Sequence, residues 1–439
     1  MQQLLETGEI VRTSSGSEVT VGRYLGGGGQ GEVYVAEVDG QNYALKWYLQ
    51  DTATTEQRTA LEWLVTLPPP SNRFLWPLQV AVSERRSTFG YVMALRDPEY
   101  KGIADLMTRR AEPTFQALAT SGMQLADSFL NLHLAGLCYR DISYGNVFFD
   151  PNSGDVLICD NDNVAFDGDQ AATVKGTPRF MAPEVVRGDA KPSAKTDRFS
   201  LAVLLFYMFV IHHPLEGTRE AQIRCFDLPA MTKLYGTDPL FIFDPNNDAN
   251  APLPQFHRNA LEFWPIYPTF LQDMFIRSFT SGLHDPEHGR VRETEWRSAM
   301  VRLRDSIIYC GNCGAENFYD RSRLQAGSGV GPTCWSCGQS IIVPPRMRIG
   351  REVVMLNHDT RLYPHHLDDA RPFDFSTPVA EVQRHPTNPA IWGLKNLSQD
   401  VWVATTSEGV SREVQSGASV RISAGTKLRF LAREGEFRA

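Results

Sequence analysis

The sequence predicts an α+β protein in which a small β-rich lobe and a large helical lobe precede a cysteine module and a small all-β domain. Short strand-like runs and turn signals fill residues 1–95, whereas longer helical periods dominate residues 96–305. Two C-x-x-C pairs lie within residues 306–344. Residues 345–439 return to short strands separated by turns. We therefore divide the chain into these four segments.

The β-rich lobe begins with three strand-like runs, which are Val19–Tyr24, Glu32–Glu37 and Asn42–Tyr48. Asp39 and Gly40 between the last two form a dipeptide that is typical of a hairpin turn. The next stretch, Thr54–Leu67, has a helical pattern and is stopped by three prolines. The pattern predicts a β-meander followed by one helix.

The helical lobe contains four long helical patterns, at Phe115–Ala135, Asp197–Ile211, Tyr267–Phe279 and Thr294–Ile307. Its most apolar run, Leu201–Ile211, is too short for a bilayer, which needs about 20 residues. Met1–Ile10 shows no secretory signal, and we expect a cytoplasmic protein without a membrane segment. The net charge of −8 also argues against nucleic acid as a partner.

A glycine-rich turn at residues 26–33 fits the pattern G-x-G-x-x-G-x-V between two strands. Glycines at Gly26, Gly28 and Gly31 would let the backbone approach phosphate oxygens closely. Lys46, on the third strand, can reach such phosphates as a point charge. A carboxylate must hold this lysine, and we favour Glu62 on the predicted helix, with Glu56 as the alternative.

A second polar cluster follows at residues 139–146, with the spacing of a phosphoryl-transfer loop. Asp141 would accept the proton of an attacking hydroxyl, and Asn146 would offer an oxygen to a metal ion. Asp160 follows the apolar run Val156–Cys159 and would hold the same kind of metal at the end of a buried strand. Hard oxygen ligands of this type favour Mg²⁺.

The two cysteine pairs are Cys310 with Cys313 and Cys334 with Cys337. Four thiolates in two tight turns form the tetrahedral set that Zn²⁺ prefers. Since protein ligands fill all four positions, the sequence predicts a structural zinc site.

With the segments Gly176–Glu184 and Asp197–Leu201, the ordered motifs resemble the eukaryotic-type protein kinase superfamily over roughly residues 20–305. The resemblance implies a bilobal protein kinase fold that uses ATP with Mg²⁺ or Mn²⁺. It further implies transfer of the γ-phosphoryl group to serine or threonine hydroxyls of protein substrates. Thr177 resembles the threonine that contacts the catalytic aspartate in Ser/Thr kinases.

The resemblance also assigns roles to single residues. It places nucleotide contacts on Gly26, Gly28, Gly31, Val33, Ala44, Lys46, Glu62, Met93 and Leu95. Met93 corresponds to the gatekeeper and Leu95 to the hinge. Asp197 corresponds to the aspartate that anchors the catalytic loop, and Glu184 is expected to pair with Arg290.

Three positions depart from the family pattern. Tyr139 replaces the histidine before the Arg-Asp pair, Asp160-Asn161-Asp162 replaces Asp-Phe-Gly, and Ser143 replaces the lysine that neutralises the transferred group. These changes put the catalytic rate in doubt. The alternative function is therefore a pseudokinase scaffold that binds nucleotide and partner proteins.

Control of activity is expected in the activation segment. Arg140 precedes the catalytic aspartate, and an arginine at this position can pair with a phosphate on the activation segment. Between Asp160 and Glu184 the two hydroxyl side chains are Thr173 and Thr177. Since the hydroxyl of Thr177 is expected to contact Asp141, Thr173 is the candidate autophosphorylation site. In the alternative, Asp167 and Asp169 supply permanent negative charge to Arg140.

The whole arrangement is similar to bacterial kinases with a C-terminal zinc ribbon. Such kinases are associated with von Willebrand A-type proteins and metal-dependent phosphatases, which the resemblance implies as partners. Residues 345–439 look distantly like a forkhead-associated domain, although a generic β-module is the favoured interpretation. We expect His365 and His366 to form a surface pair without a role.

Overall fold

The computed structural model describes residues 3–168, 176–326, 332–430 and 433–439. By its internal contacts the chain forms two compact units. The first contains the chain up to Phe263 together with Met274–Arg297, and the second contains Trp264–Asp273 and Ser298–Ala439.

The first unit opens with an antiparallel barrel of six strands. They are β1 (Ile10–Thr13), β2 (Glu18–Gly27), β3 (Gly31–Val38), β4 (Gln41–Tyr48), β5 (Gln79–Val82) and β6 (Phe89–Ala94). The barrel closes in the order β1-β2-β3-β4-β6-β5. Asp39 and Gly40 form the turn between β3 and β4 with φ angles of 50° and 75°, the left-handed conformation that such hairpins require.

Helix α1 (Thr55–Leu64) follows the barrel strand β4. It begins after Thr54, whose hydroxyl accepts a hydrogen bond from the backbone N–H of Gln57 at 3.1 Å. The helix ends at Leu64, three residues before the predicted end at Leu67. The indole of Trp76 donates to the carbonyl oxygens of Leu64 and Leu67 and thereby satisfies groups that the helix leaves open.

The rest of the first unit is mostly helical. Its helices are α2 (Ile103–Met107), α3 (Phe115–Leu134), α4 (Pro183–Arg187), α5 (Ala194–Val210), α6 (Thr218–Ala221), α7 (Leu228–Thr232), α8 (Arg258–Phe263), part of α9 (Thr269–Phe279), α10 (Ser281–His284) and part of α11 (Glu293–Asp305). Nearly every residue of α5 is buried, so its apolar run belongs to the protein core. Among the described residues, no helix combines the length and apolar character that a membrane crossing requires.

Five short strands position the loops of the candidate site. They are β7 (Lys101–Gly102), β8 (Leu137–Cys138), β9 (Val147–Phe149), β10 (Val156–Ile158) and β11 (Ala165–Phe166). β9 pairs with β10, and β8 pairs with β11, so the loop after β8 and the turn after β10 lie side by side. The backbone N–H of Cys159 donates to the carbonyl of Asn146 at 2.8 Å and joins the two segments.

The second unit contains the cysteine module and a two-sheet β-structure. The module contributes β12 (Ile307–Tyr309), β13 (Glu316–Phe318) and α12 (Arg321–Ala326). The remaining elements are β14 (Arg346–Ile349), β15 (Glu352–Met355), β16 (Arg361–Leu362), α13 (Pro364–Leu367), β17 (Ala380–Arg384), β18 (Trp392–Asn396), β19 (Trp402–Thr405), β20 (Ser411–Val414), β21 (Ser419–Arg421), β22 (Lys427–Arg429) and β23 (Glu434–Arg438). One sheet has the order β15-β14-β23-β22-β19-β20 and the other β16-β17-β18-β21. Their side chains share one apolar core around Trp402 and Leu428.

The division between the units differs from the predicted boundary at residue 305. Trp264–Asp273 and the end of α11 belong to the second unit. The backbone N–H and the hydroxyl of Thr269 both donate to Asp320 at 2.7 Å, and the ring of Tyr267 packs against Phe318. These contacts attach the segment to the cysteine module.

The histidine pair is another correction. His365 and His366 are buried, with exposed fractions of 5% and 1%, so their expected surface position is wrong. His366 Nε2 lies 3.2 Å from a carboxylate oxygen of Asp305 at the end of α11. The pair thus belongs to the packing of the second unit.

Candidate active site

Lys46 lies at the centre of the site and is almost fully buried on β4. Its ammonium donates to Gln30 Oε1 at 2.9 Å and to Asp160 Oδ1 at 2.9 Å. It also contacts both carboxylate oxygens of Asp162, at 3.0 and 2.9 Å. The structure therefore brings the predicted Lys46 and Asp160 together, and it adds Asp162, to which the sequence analysis gave no role.

The expected ion pair between Lys46 and Glu62 is wrong for this structure. Glu62 is half exposed and pairs instead with Arg58, one turn earlier on α1, at 2.8 Å. The alternative, Glu56, is also exposed. The helix residue that faces the site is Gln57, whose amide donates to the hydroxyl of Tyr48 at 3.1 Å. Because α1 presents a neutral residue here, the carboxylate comes from a different segment.

The two aspartates differ in burial and charge. The Asp162 side chain is completely buried, whereas that of Asp160 keeps 34% of its surface exposed. Burial alone would raise the pKa of Asp162, but the charge of Lys46 and a hydrogen bond from Tyr48 outweigh it and lower that pKa. Burial raises the pKa of Asp160, and the charge of Lys46 only partly offsets this effect. Asp162 is thus the firmly ionised partner, and Asp160 faces the open side.

Burial alone would lower the pKa of Lys46 itself. The negative charges of Asp162 and Asp160 outweigh this effect and raise the pKa, so the lysine stays an ammonium. One positive charge between two carboxylates leaves the cluster with an excess negative charge on its exposed side. An excess of this kind suits a divalent cation.

The loop after β8 holds Asp141 between two hydrogen-bonding partners. Asp141 Oδ1 accepts the backbone N–H of Thr177 at 2.9 Å and its hydroxyl at 2.7 Å. Asn146 Nδ2 donates to the backbone oxygen of Asp141 at 2.9 Å. The amide oxygen of Asn146 and the carboxylate of Asp160 are hard donors that could hold Mg²⁺.

A buried network of charged side chains holds the backbone of this loop. Asp197 accepts the backbone N–H groups of Tyr139 at 2.6 Å and Arg140 at 3.0 Å. His133 lies between Asp197, at 3.2 Å, and Glu293, at 2.6 Å. Burial alone would lower the pKa of His133, but these two carboxylates raise it to about 9. The imidazolium and Asp197 therefore fix the loop that carries Asp141.

The apolar residues predicted for adenine come together in one cluster. Ala44 and Met93 are buried opposite each other on β4 and β6, and Val33 and Leu95 pack partly buried against them. Leu157 on β10 joins the same cluster and was missed by sequence analysis. Its apolar position in a three-residue strand gave no signal that separates it from an ordinary core residue.

The glycine-rich turn between β2 and β3 has room for a ligand. A Cβ on Gly26 or Gly28 would meet no protein atom within 4 Å, whereas one on Gly31 would lie 2.2 Å from the carbonyl oxygen of Trp47. Packing within the chain therefore explains Gly31 but not the other two. The open space beside Gly26 and Gly28 leaves room for a phosphate chain to approach the backbone closely.

The regulatory predictions are only partly within the described residues. Thr173 lies outside them. Arg140 has a left-handed φ of 71°, and its Nε donates to the carbonyl of Asn163 at 2.5 Å. Glu184 and Arg290 form the expected pair, with two contacts of 2.8 Å.

Comparison with known proteins agrees with this geometry. A protein kinase domain model matches residues 19–265, more than half of the 439 residues. The chain belongs to the protein kinase family. Membership implies ATP and a divalent metal ion as cofactors.

Several proteins similar to this chain carry protein kinase names, and one of those that follow is named as a serine/threonine kinase. Protein kinase C delta type from Rattus norvegicus is 28% identical over 46% of this chain and 31% of its own length. CBL-interacting protein kinase 4 from Oryza sativa is 28% identical over 42% of the chain and 43% of its own length. A probable cell cycle serine/threonine-protein kinase, the CDC5 homolog of Encephalitozoon cuniculi, is 26% identical over 59% and 54%. The chain thus spans about half or less of these relatives.

The kinase also carries a four-cysteine cluster in its second unit. The sulfur atoms of Cys310, Cys313, Cys334 and Cys337 all lie within 4.8 Å of one another. All four cysteines are free, and two of their sulfur–sulfur distances, 3.6 and 3.7 Å, far exceed a disulfide bond of about 2.05 Å. Two tight turns, each followed by a glycine with positive φ, aim the thiols at one point.

The cysteines of the cluster differ in their pKa. A hydrogen bond from the backbone of Ala315 alone would lower the pKa of Cys313, but desolvation and the neighbouring cysteine side chains raise it to about 11. Burial alone would raise the pKa of Cys334, but hydrogen bonds from the backbone of Cys337 and from the Asn317 amide lower it to about 6. Cys310 and Cys334 are buried in the same apolar cluster as Met355 of β15. The arrangement is compatible with a zinc ion.

Proposed function

We propose that the protein is a serine/threonine kinase that transfers the γ-phosphoryl group of ATP to protein hydroxyls. The hydrogen-bonded position of Asp141, which accepts both the N–H and the hydroxyl of Thr177, is the observation that carries this proposal. It holds a carboxylate in the catalytic loop in an orientation that a substrate hydroxyl could share. The contact from Thr177 also favours serine and threonine over tyrosine as acceptors.

Each residue of the site has one task in this proposal. Asp141 orients the substrate hydroxyl and accepts its proton. Asn146 and Asp160 hold the divalent ion, and Lys46 directs its ammonium to the phosphates. When bound, Mg²⁺ and ATP supply the phosphoryl group and neutralise its charge. Gly26 and Gly28 leave the space in which the phosphates lie.

Ser143 is the reason to keep a second candidate function. It occupies the place of the family's lysine, and its side chain is buried and uncharged. Loss of one cation near the transferred group can cost a few kcal/mol in the transition state. A nucleotide-binding scaffold without transfer activity is therefore the alternative.

For the second unit we propose a structural zinc site formed by the four cysteines. Its sulfur geometry and the thiolate-favouring hydrogen bond from Asn317 support it. Metal analysis of the purified protein should find about one zinc ion per chain. Autophosphorylation at Thr173 and the partnership with a von Willebrand A-type protein and a phosphatase stay predictions from the sequence, as does the likeness to a forkhead-associated domain.

The central experiment incubates the purified protein with labelled ATP and Mg²⁺ beside an Asp141→Asn variant. Transfer of label to the protein itself or to a generic substrate, lost in the variant, supports the kinase. Nucleotide binding without any transfer in the wild type supports the scaffold instead. Absence of nucleotide binding contradicts both.

A further inference from the structure

Asp162 forms a closed polar cluster in the interior of the β-rich lobe. Both of its carboxylate oxygens contact Lys46 within 3.0 Å. The hydroxyls of Tyr48 and Tyr91 donate to the same carboxylate at 2.5 and 3.0 Å. The side chain has no exposed surface.

The barrel itself brings these groups together. Lys46 and Tyr48 are two residues apart on β4, so they lie on the same face of the strand. Tyr91 stands directly opposite Lys46 on β6. Three polar groups thus converge on one point inside an otherwise apolar face. A buried carboxylate is stable only with such partners, because an unpaired buried charge is very costly.

The two aspartates of the turn after β10 differ in exposure and in the groups that they contact. Asp160 keeps part of its side chain exposed toward the space where a metal ion is expected. Asp162 points inward, and its carboxylate contacts Lys46, Tyr48 and Tyr91. If Asp160 turns to a metal, Lys46 still keeps a bidentate carboxylate partner. The lysine therefore does not depend on the metal ligand for its position.

Helix α1 adds only a neutral contact to this cluster. Gln57 donates to the hydroxyl of Tyr48 and to the backbone oxygen of Asp162. In other protein kinases a glutamate of the corresponding helix pairs with the lysine, and movement of that helix controls the pair. Here the pairing carboxylate lies on the same short turn as Asp160.

We propose that Asp162 is the positioning residue that holds Lys46 toward the phosphates and makes this lysine independent of a helix carboxylate. The inference rests on the proposed function for its catalytic consequence, but its structural part can be tested without turnover. Since Asp162, the partner of Lys46, and Asp160, the expected metal ligand, share one turn, both are positioned by the same segment and not by α1.

The test compares Asp162→Asn with Glu62→Gln in the full-length protein. Turnover is measured with labelled ATP and a generic protein substrate. Separately, the pH midpoint for acetylation of Lys46 by acetic anhydride is followed by mass spectrometry, with the exposed Lys191 as internal reference. The midpoint reports the charge environment of Lys46 and not merely whether the protein is folded.

Asp162→Asn is expected to reduce turnover by about 10- to 100-fold, the range found for groups that orient a catalytic ligand. It should also lower the acetylation midpoint of Lys46 by at least about one pH unit. Glu62→Gln should change neither. An unchanged midpoint in Asp162→Asn, or an equal loss of turnover in Glu62→Gln, would overturn the proposal.

A milder pair of variants covers the case in which Asp162→Asn does not fold. Tyr48→Phe removes one donor from Asp162 and should reduce turnover about tenfold. Tyr34→Phe is its matched control, because that buried hydroxyl donates to Glu32 elsewhere in the same barrel. Equal turnover in the two variants would contradict the proposal. If the wild type transfers no phosphate, the proposed function fails, while the acetylation midpoints of these variants still decide the role of Asp162.

Discussion

Replacing Glu184 by glutamine removes one charge from a buried, bidentate ion pair. Its carboxylate contacts Arg290 through two 2.8 Å bonds, and the arginine side chain is only 2% exposed. Arg290 has two further acceptors, the backbone oxygens of Gly282 and Lys195. In the variant its positive charge stays buried without a carboxylate, which typically costs about 3–5 kcal/mol.

The expected magnitude can be converted into a melting temperature. The first unit has roughly 290 residues, so its unfolding entropy is about 0.6 kcal/mol/K. A loss of about 3–5 kcal/mol therefore lowers its melting temperature by about 5–8 °C. Differential scanning calorimetry of the full chain, read at the transition of the first unit, measures this shift.

Glu287→Gln is the matched control for this change. Glu287 also pairs with a basic residue, Lys195, but both side chains are half exposed. An exposed pair of this kind contributes little, so no measurable shift is expected. A melting temperature of Glu184→Gln within about 1 °C of the control would refute the stabilising role of the buried pair.

Three further perturbations test other parts of the structure. Burial alone would lower the pKa of His133, but its two carboxylate neighbours raise it to about 9. The stabilisation from this group is therefore complete below about pH 6.5 and is lost as the pH rises through 9, which lowers the free energy of unfolding by up to roughly 3 kcal/mol. Melting curves of His133→Asn, measured as a function of pH, should lack this loss. Gly31→Ala should destabilise the barrel because its Cβ would meet a backbone oxygen at 2.2 Å, whereas Gly28→Ala should fold normally and weaken ATP binding in calorimetric titration. Cys334→Ser, or a strong chelator, should lower the melting temperature of the second unit and leave that of the first in place; equal shifts in both transitions would contradict the structural zinc site.

The sequence predicted that Asp141, Asn146 and Asp160 lie near one another because their proximity depends on short-range spacing. Asp141 and Asn146 lie on one loop, and Asp160 follows two residues after β10, which pairs with the strand after that loop. Local turns and hairpins fix such positions, so a motif read along the chain predicts their proximity. The same reasoning placed the cysteine pairs, since each pair is one tight turn.

The partner of Lys46 could not be predicted in this way. Choosing Glu62 required the rotation of α1 about its axis, which packing of the whole lobe determines. Asp162 became the partner only because Tyr48 and Tyr91 converge on it from two strands. Two tyrosines among apolar barrel residues were the available signal, and they pointed to a buried polar group.

Element ends were also set by contacts distant in sequence. The helical pattern continues past Leu64, but the indole of Trp76 satisfies the last carbonyls and ends α1 there. The second unit takes in Trp264–Asp273 because Asp320 accepts two hydrogen bonds from Thr269. Neither contact leaves a trace in the local hydrophobic pattern.

The polar cluster behind Met93 also has a consequence for inhibitor selectivity. Ala44 lies opposite Met93, and two residues further along the strands Lys46 lies opposite Tyr91, so hydroxyls and a carboxylate occupy the space next to Met93 on the side of Lys46. A compound that extends past Met93 with an apolar group would have to separate a buried ion pair to enter. We expect compounds confined to the apolar cluster around Ala44 and Leu95 to bind, and their extended, lipophilic analogues to lose affinity for this protein relative to kinases with an apolar cavity beyond the residue that corresponds to Met93.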